Sequence, residues 1–299
     1  MKIFAIVVTY NGMRWYDRCF GSLRNSDMPV ETIVIDNAST DETVSYIKEH
    51  FHEVCLIESK ENLGFAKANN IGIKRALDNG ADYVFLLNQD AWVEKDTLTK
   101  LVQTFDENEN VGIASPIHLN GEYTGLDLRF AKFIMNESML SDAYMKHIKK
   151  YYKISFANAA AWLLSAKCIR KVGGFDTLLF VHYGEDVNYC QRVLYHDFSV
   201  VVNTQCTICH DRKERIADNN VGRGLWQEKN VNVQEKVNLG NINNDLNINK
   251  QRRYYYRLLF KSIIKFNRLS MKEIRRKIAL LNIVQESRKK NIKGGMAWL

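Results

Sequence analysis

Four clusters of polar residues in the first 90 positions could together bind a ligand, because each cluster follows a short, β-rich apolar run. Their hydroxyl, amide and carboxylate oxygens can accept hydrogen bonds from a sugar or a base, and a carboxylate can also hold a hard cation. Turns between strands and helices are rich in Asn, Asp, Ser and Gly for backbone reasons alone, and this alternative explains any one cluster. The clusters are Thr9, Tyr10 and Asn11; Asp36 and Asn37; Asn62 and Gly64; and Asn88, Gln89 and Asp90.

The adjacent carboxylates of Glu185 and Asp186 could perform a second kind of chemistry, the transfer of a proton. They begin a helical pattern, so we expect them near the positive end of a helix dipole, which favours the ionised form of an acid. An ionised carboxylate can accept a proton as a general base. Ordinary helix capping fits the same position equally well.

The elements that must position these residues alternate along the first 115 positions. Apolar β-rich runs alternate with segments of helical length and periodicity, which predicts an α/β fold with a mostly parallel sheet and helices on both faces. Ligands of such sheets bind beyond the carboxyl ends of the strands, so the four polar clusters should converge on one edge. The predicted strands are Ile3–Val8, Thr32–Ile35, Val54–Ile57, Tyr83–Leu87 and Val111–Ala114, and the predicted helices are Trp15–Asn25, Asp41–Phe51, Ala66–Asn79 and Asp96–Phe105.

The turn after the first strand excludes dinucleotide binding. Sites for NAD and FAD require G-x-G-x-x-G at that point, whereas this chain has Asn-Gly-Met-Arg there. No Walker A motif occurs in the sequence either.

The composition is typical of a soluble globular protein, with 46% hydrophobic and 25% charged residues in 299. The longest apolar stretch, Phe156–Ala166, is shorter than the roughly 20 residues of a spanning helix. The first residues lack the pattern of a signal peptide. We therefore expect a cytoplasmic protein with reduced cysteines, and we assign the haem-attachment spacing of Cys206, Cys209 and His210 to chance.

The organisation of the chain changes after Pro116, where a helix-rich insertion over 126–152 begins. Eight of the 20 residues from Asn230 to Asn249 are Asn, a composition that predicts a mobile loop or linker. The sequence therefore predicts a main domain over 1–215, an Asn-rich linker over 216–249 and a basic helical appendage over 250–299.

Six blocks of sequence occur in an order and spacing that resemble one known family. They are VVTYNG, VIDNASTDET, ENLGFAKANNIGI, LLNQDAWVE, VGGFDTLLF and GEDVNYCQR, and they cover roughly residues 3–212. The chain resembles the inverting, non-processive enzymes of glycosyltransferase family 2, in particular the rhamnosyltransferase-like enzymes of bacterial surface polysaccharides. The resemblance implies a GT-A fold, with a nucleotide-binding half over 1–115 and an acceptor and catalytic half over 116–215. It also implies transfer of one sugar from a nucleotide-diphosphate sugar to a glycan or polyprenyl-linked acceptor.

The same resemblance implies that the polar clusters bind the donor. Thr9 and Asp36 match nucleotide-contacting positions, and a UDP- or dTDP-sugar is favoured by the habit of the family. Lys67 is also consistent with an exposed helix charge. The implied donor contacts are Thr9, Tyr10, Asn11, Asp36, Asn37, Asn62, Gly64, Lys67, Asn70, Asn88, Gln89 and Asp90.

The resemblance further implies a divalent cation and a general base. Asp90 ends a block that stands in place of the D-x-D metal motif, with Asn88 instead of the first Asp, so Asp90 is the expected ligand of Mg²⁺ or Mn²⁺. His210 matches a histidine that the family often supplies to the same cation. Asp186 matches the base that deprotonates the acceptor hydroxyl, and Glu185 is its supporting neighbour or an acceptor contact.

The net charge of +8 is concentrated in the tail, Lys250–Leu299, which has 15 Lys and Arg against two Glu. The preceding 249 residues have 27 Lys and Arg against 32 Asp and Glu. Basic residues interleaved with aromatic ones predict a helix that lies on the anionic inner face of the cytoplasmic membrane. A pair of helices packed on the main domain, with solvated charges, is an equally supported alternative. A non-catalytic nucleotide-sugar or nucleic-acid binding protein is disfavoured, because no nucleic-acid motif is found and the rest of the chain is acidic.

Overall fold

The first 90 residues fold as the alternating pattern predicts. The computed structural model describes residues 1–135, 138–181, 183–212 and 223–299. Four strands lie parallel and in the order β3-β2-β1-β4, and three helices connect them. The elements are β1 (Ile3–Thr9), α1 (Met13–Arg24), β2 (Glu31–Asp36), α2 (Thr43–His50), β3 (Cys55–Glu58), α3 (Gly64–Asp78) and β4 (Tyr83–Asn88).

The sheet separates two apolar cores, because alternate side chains of a strand point to opposite faces. In β1, Ile6 belongs to one core and Val7 to the other. Helices α1 and α2 cover the face of Val7, and α3 covers the face of Ile6. Helix α3 can approach the sheet closely because Gly72 has no side chain: a Cβ there would lie 2.6 Å from Ile6 Cγ2.

The second half of the domain extends the same sheet with strands of both directions. Strand β8 (Ala161–Ser165) lies antiparallel between β4 and β6 (Val111–Asn120). Strands β5 (Ala91–Val93) and β7 (Tyr151–Ile154) lie antiparallel to β9 (Ser199–His210). Six of the nine strands in the described ranges therefore point the same way, which confirms the predicted fold class. The added elements are β5 (Ala91–Val93), α4 (Thr97–Glu107), β6 (Val111–Asn120), α5 (Leu128–Ile134), α6 (Ser138–Tyr144), β7 (Tyr151–Ile154), β8 (Ala161–Ser165), α7 (Ala166–Val172), α8 (Glu185–Tyr195) and β9 (Ser199–His210).

The Asn-rich segment over 216–249, predicted as a mobile loop or linker, contains a helix. Helix α9 occupies Arg223–Gly240, while residues 216–222 lie outside the described ranges. The high Asn content predicted a loop, but Val233 and Val237, four residues apart, lie on one face of the helix and pack beside Phe180. Tertiary packing has therefore overridden a weak local preference.

Two helices follow, as predicted for the tail: α10 (Ile248–Ile264) and α11 (Arg268–Lys293). They differ in burial, since α10 has no buried residue, whereas α11 buries Leu281, Val284, Ser287 and Asn291. The second half of α11 is thus part of the main domain, and the predicted boundary at residue 250 does not separate an appendage from it. No helix of the described residues is long and apolar enough to span a bilayer.

Candidate active site

A cleft of about 360 Å³ opens at the carboxyl ends of the parallel strands, a size suited to a small-molecule ligand. One side is formed by the turns after β1 to β4, and the other by α5, residues 158–160 and the start of α8. The structure therefore brings the predicted polar clusters and the predicted base into one cavity. The predicted residues that line it are Tyr10, Asn37, Asn62, Gly64, Asn88, Gln89, Glu185 and Asp186.

Thr9 and Asp36 lie at the ends of neighbouring strands and are joined by a hydrogen bond. Asp36 is 2% exposed, and its Oδ1 accepts from Thr9 Oγ1 at 3.0 Å and from Ser39 Oγ at 2.6 Å. Its Oδ2 accepts from the backbone N–H of Ser39 at 2.9 Å. Neither side chain lines the cleft itself, so in this structure both support the turn that places Asn37 there.

Gln89 joins the turns after β1 and β4. Its Oε1 accepts from the Tyr10 backbone N–H at 2.9 Å, and its Nε2 donates to the Tyr10 carbonyl at 3.1 Å. Gly12 leaves room for this contact, because a Cβ there would lie 2.4 Å from Gln89 Oε1. Asn11 faces the opposite turn, where its Oδ1 accepts from the Thr40 backbone N–H at 2.8 Å.

The turn after β3 meets the turn after β2 at the cleft. Asn37 Oδ1 accepts from the backbone N–H of Leu63 at 2.9 Å, and Asn62 Oδ1 accepts from that of Gly64 at 3.0 Å. Gly64 has a φ of +73°, a left-handed conformation that glycine adopts without steric cost. This turn therefore presents backbone rather than a bulky side chain to a ligand.

Two predicted donor contacts lie away from the cleft. Lys67 is 57% exposed, and its Nζ lies 3.9 Å from Glu61 Oε1. Asn70 is buried, and its amide binds the main chain of Phe175 in both directions, at 2.9 and 2.7 Å. Because Asn69, one position earlier on α3, faces the cleft instead, Asn70 has a packing role in this structure.

Asp90 and His210 are brought together although 120 residues separate them, because β5 pairs with the end of β9. Asp90 Oδ1 lies 3.4 Å from His210 Nε2, and both side chains are buried. Two ligands at right angles on an octahedral cation lie about 3.0 Å apart. The pair therefore fits a shared cation, although the same contact would also stabilise a buried ion pair.

Further ligands for a cation would have to come from outside this pair. Among the described residues, no group of three or more His, Cys, Asp or Glu side chains is arranged to hold a metal. Asn88 Nδ2 lies 3.5 Å from His210 Nε2 and separates the pair from the cleft.

Glu185 and Asp186 occupy the first turn of α8, after Gly184, whose φ is +91°. Burial and the charge of Asp186 raise the pKa of Glu185 to about 7. Burial also raises the pKa of Asp186, although the backbone N–H groups of Val187 and Ala159 and the charge of Arg129 oppose the shift. The positive end of the helix dipole was expected to favour the ionised form of both acids. Their pKa values are raised instead, because the loss of hydration on burial is the larger effect.

Two arginines that line the cleft are absent from the site residues predicted from the sequence. Arg129 is on α5, and Arg212 follows β9, where its Nε donates to Asp127 Oδ2 at 2.7 Å. Guanidinium groups suit the oxygens of a diphosphate. Arg212 could have been found from its position just beyond a strand end, whereas nothing in the sequence distinguishes Arg129.

The order of the strands and the cleft at their carboxyl ends define a protein of the GT-A class, and comparison with known proteins gives the family. The model of "Glycosyl transferase family 2" matches residues 4–173, more than half of the 299 residues. The chain belongs to glycosyl transferase family 2 and is a glycosyltransferase.

Individual relatives are more distant. The chain is 25% identical over 228 residues to the dTDP-rhamnosyl transferase RfbF of Shigella flexneri, which covers 74% of this chain and 73% of RfbF. It superposes on a fragment of S. aureus TarS in complex with UDP-GlcNAc with a TM-score of 0.53 and 18% identity, over 71% of this chain and 58% of that fragment. GalNAc-T7 with UDP, GalNAc and Mn²⁺ gives a TM-score of 0.56 and 15% identity, over 71% of this chain and 44% of that one. The two structural similarities support the fold.

Proposed function

We propose that the protein is an inverting glycosyltransferase that moves one sugar from a nucleotide-diphosphate sugar to a hydroxyl of a glycan or lipid-linked acceptor, in the synthesis of a surface polysaccharide. One observation carries the proposal. Asp186 lies in the same cleft as Asn37, Asn62 and Gly64, which follow the nucleotide-side strands. A general base there can reach an acceptor while the donor lies against the strand ends.

The donor in this proposal is a UDP- or dTDP-sugar. Its base and ribose contact the turns of Thr9 and Asp36, and its phosphates approach the backbone at Gly64, which lines the cleft and has no side chain of its own. The proposal is supported by relatives whose names specify such donors: RfbF is a dTDP-rhamnosyl transferase, and the TarS fragment binds UDP-GlcNAc.

Asp90 and His210 would hold a divalent cation, Mg²⁺ or Mn²⁺. When bound, such a cation neutralises charge that develops on the leaving diphosphate. Arg212 contributes positive charge of the same kind from the wall of the cleft. The Mn²⁺ in the GalNAc-T7 structure supports the use of a cation in this fold.

Asp186 receives the proton of the acceptor hydroxyl. As the hydroxyl oxygen forms its bond to the anomeric carbon, the bond from that carbon to the diphosphate oxygen breaks, and the diphosphate leaves with the electron pair. The new bond forms on the face opposite the leaving group, so the anomeric configuration is inverted without a covalent enzyme intermediate. Glu185, with its pKa near 7, lies beside Asp186 and contacts the acceptor.

A lipid-linked acceptor places the enzyme at the inner face of the cytoplasmic membrane, and the exposed surface of α10 supports that location. Between Lys250 and Lys272 the chain has eight Lys and Arg and no Asp or Glu. Tyr254 and Phe260 on α10 are 58% and 65% exposed, and Phe266, just after the helix, is 88% exposed. Basic and aromatic side chains on one helix can bind an anionic bilayer through charge and shallow insertion.

The stereochemistry of the reaction tests the proposal. A thermal-shift screen of UDP-, dTDP- and GDP-sugars with Mn²⁺ identifies the donor, and proton NMR then records the anomer first released when water slowly replaces the acceptor. We expect the configuration opposite to that of the donor. Release of the retained anomer would contradict direct displacement.

A further inference from the structure

Asp176 is a fully buried carboxylate that the proposed reaction does not use, and it connects distant parts of the chain. Its Oδ1 accepts from the backbone N–H groups of Leu178 and Leu179, both at 3.0 Å. Its Oδ2 accepts from Ser287 Oγ and from Asn291 Nδ2, the latter at 2.9 Å. Ser287 and Asn291 are themselves 0% exposed on α11. One carboxylate therefore fixes the turn after residue 176 to a helix that lies more than 100 residues later.

The end of the chain strengthens this connection. Trp298 Nε1 donates to Asn291 Oδ1 at 2.8 Å, and the Gly174 backbone N–H donates to the Ala297 carbonyl at 2.9 Å. A Cβ on Gly173, whose φ is +89°, would lie 2.4 Å from the Ala297 carbonyl oxygen. The sequence Gly173-Gly174 therefore allows close main-chain contact with the last residues. We call Ser287, Asn291 and residues 294–299 the C-terminal clamp.

The segment held by the C-terminal clamp also holds α8, the helix of Asp186. Arg192, fully buried on α8, donates to the carbonyls of Val172 at 3.1 Å and Gly174 at 2.5 Å. Tyr189 OH donates to the carbonyl of Gly173 at 3.1 Å. Residues 172–174 are thus bonded to α8 on one side and to the chain terminus on the other.

A second connection reaches the first turn of α8. The turn that Asp176 stabilises places Leu179 and Phe180 in an apolar cluster with Val284 of α11. Phe180 in turn packs against Gly184, where an added Cβ would lie 3.0 Å from Phe180 Cε1. Gly184 directly precedes Glu185 and Asp186. A shift of α11 would therefore move the residue from which the helix of the carboxylates begins.

We propose that the C-terminal clamp positions the carboxylate of Asp186 through Asp176 and the first turn of α8. The inference rests on the proposed role of Asp186 as the base. The clamp residues are positioning residues, since none of them lines the cleft. Loss of the clamp displaces the base relative to the acceptor. The clamp also touches α3, where Asn70 Nδ2 donates to the Trp298 carbonyl at 3.1 Å. The turns after β1 and β2 keep their own hydrogen bonds, such as the one from the Thr40 backbone N–H to Asn11 Oδ1, and continue to bind the donor.

The test exchanges the side chains of Asp176 and Asn291, which are joined by a hydrogen bond. Asn291→Asp keeps the acceptor for Trp298 but sets a second carboxylate against Asp176. We expect kcat for transfer to fall by about 10- to 100-fold, because a displacement of about 1 Å has a cost of that order. The donor Kd from calorimetry should not change, and hydrogen exchange of the backbone amides of residues 184–190 should accelerate.

The double variant Asp176→Asn with Asn291→Asp should restore most of the kcat and most of the protection of residues 184–190 from hydrogen exchange. The new amide at 176 can donate to the new carboxylate at 291, while its oxygen still accepts from Leu178 and Leu179. A role limited to global stability predicts instead a lower Tm with wild-type kcat and wild-type exchange at 184–190 in Asn291→Asp, and that result would overturn the proposal.

Asn203→Asp is the matched control, because it makes the same change at a fully buried site in β9. The Asn203 amide donates to the Lys100 carbonyl at 2.8 Å and to Thr104 Oγ1 at 3.1 Å, both of which belong to α4 and not to α8. It should lower Tm without changing exchange at 184–190. The exchange measurement does not depend on turnover, so an absence of transferase activity in the wild type would reject the proposed function while the exchange data still decide the positioning role.

Discussion

The outer and inner parts of the C-terminal helices both carry apolar and basic residues, but the apolar side chains have opposite surroundings in the two parts. In the outer part, α10 and the start of α11, Leu269 is 83% exposed and Phe260 is 65% exposed. In the inner part, from Ile278 onward, Leu281 and Val284 are 1% and 0% exposed, and Val284 packs with Leu179 and Phe180 of the main domain. Membrane contact and packing on the domain, which were alternatives for the whole tail, therefore separate along it. The inner part packs on the main domain, and the outer part is exposed and available for contact with a membrane.

Replacing one leucine in each part should give the largest difference between the two parts, in the free energy of unfolding. Leu281→Ala leaves a cavity at a site that is 1% exposed and should lower the free energy of unfolding by about 2–5 kcal/mol. Leu269→Ala, on the same helix, removes an exposed side chain and should change it by less than about 0.5 kcal/mol. Urea unfolding measures both. Equal losses would mean that the two parts of the helix are not distinct.

Neutralising basic residues of the outer part should affect membrane binding and leave stability unchanged. Arg257 and Lys261 are exposed and four residues apart on α10, so they lie on one face. Each basic residue near an anionic surface contributes about 1 kcal/mol, so Arg257→Gln with Lys261→Gln should weaken binding to phosphatidylserine vesicles by about 30-fold. Co-sedimentation at low salt measures the effect.

The matched control is Lys60→Gln with Lys95→Gln, which removes two exposed lysines from the main domain. It should bind vesicles as the wild type does. If both double variants lose the same amount of binding, the attraction depends on net charge alone and α10 is not the membrane surface. If the wild type stays in the supernatant at low salt, the outer part has no membrane role.

The helices and strands predicted for the first 115 residues agree with the structure, because the local pattern of apolar residues determines them. A β-rich run such as Ile3–Val8 is apolar at nearly every position, as expected for a strand that is covered on both faces. The polar turns converge as predicted, since parallel strands end at one edge. Adjacent positions on a helix were harder to separate: Asn69 and Asn70 differ by about 100° around α3, and the sequence does not show which of them faces the cleft.

The features that the sequence did not show depend on contacts between distant residues. Asp176 meets Asn291 only after α11 has folded back onto the main domain. The same is true of α9, where Val233 and Val237 form a helix face because Phe180 is available to pack against it. The raised pKa of Glu185 also required the structure, because burial determines its magnitude.

Asp186→Asn tests the central claim most directly, because it removes the proposed base and nearly preserves its shape. The amide oxygen can still accept from the Val187 backbone N–H, which lies 2.8 Å from Asp186 Oδ1. We expect the rate of sugar transfer to fall by about 10²- to 10⁴-fold while the donor Kd stays within about twofold, as is typical for loss of a general base. Asp106→Asn, at an exposed position of α4, should match the wild type in both measurements. Transfer by Asp186→Asn at the wild-type rate would contradict the account and place the base elsewhere in the cleft.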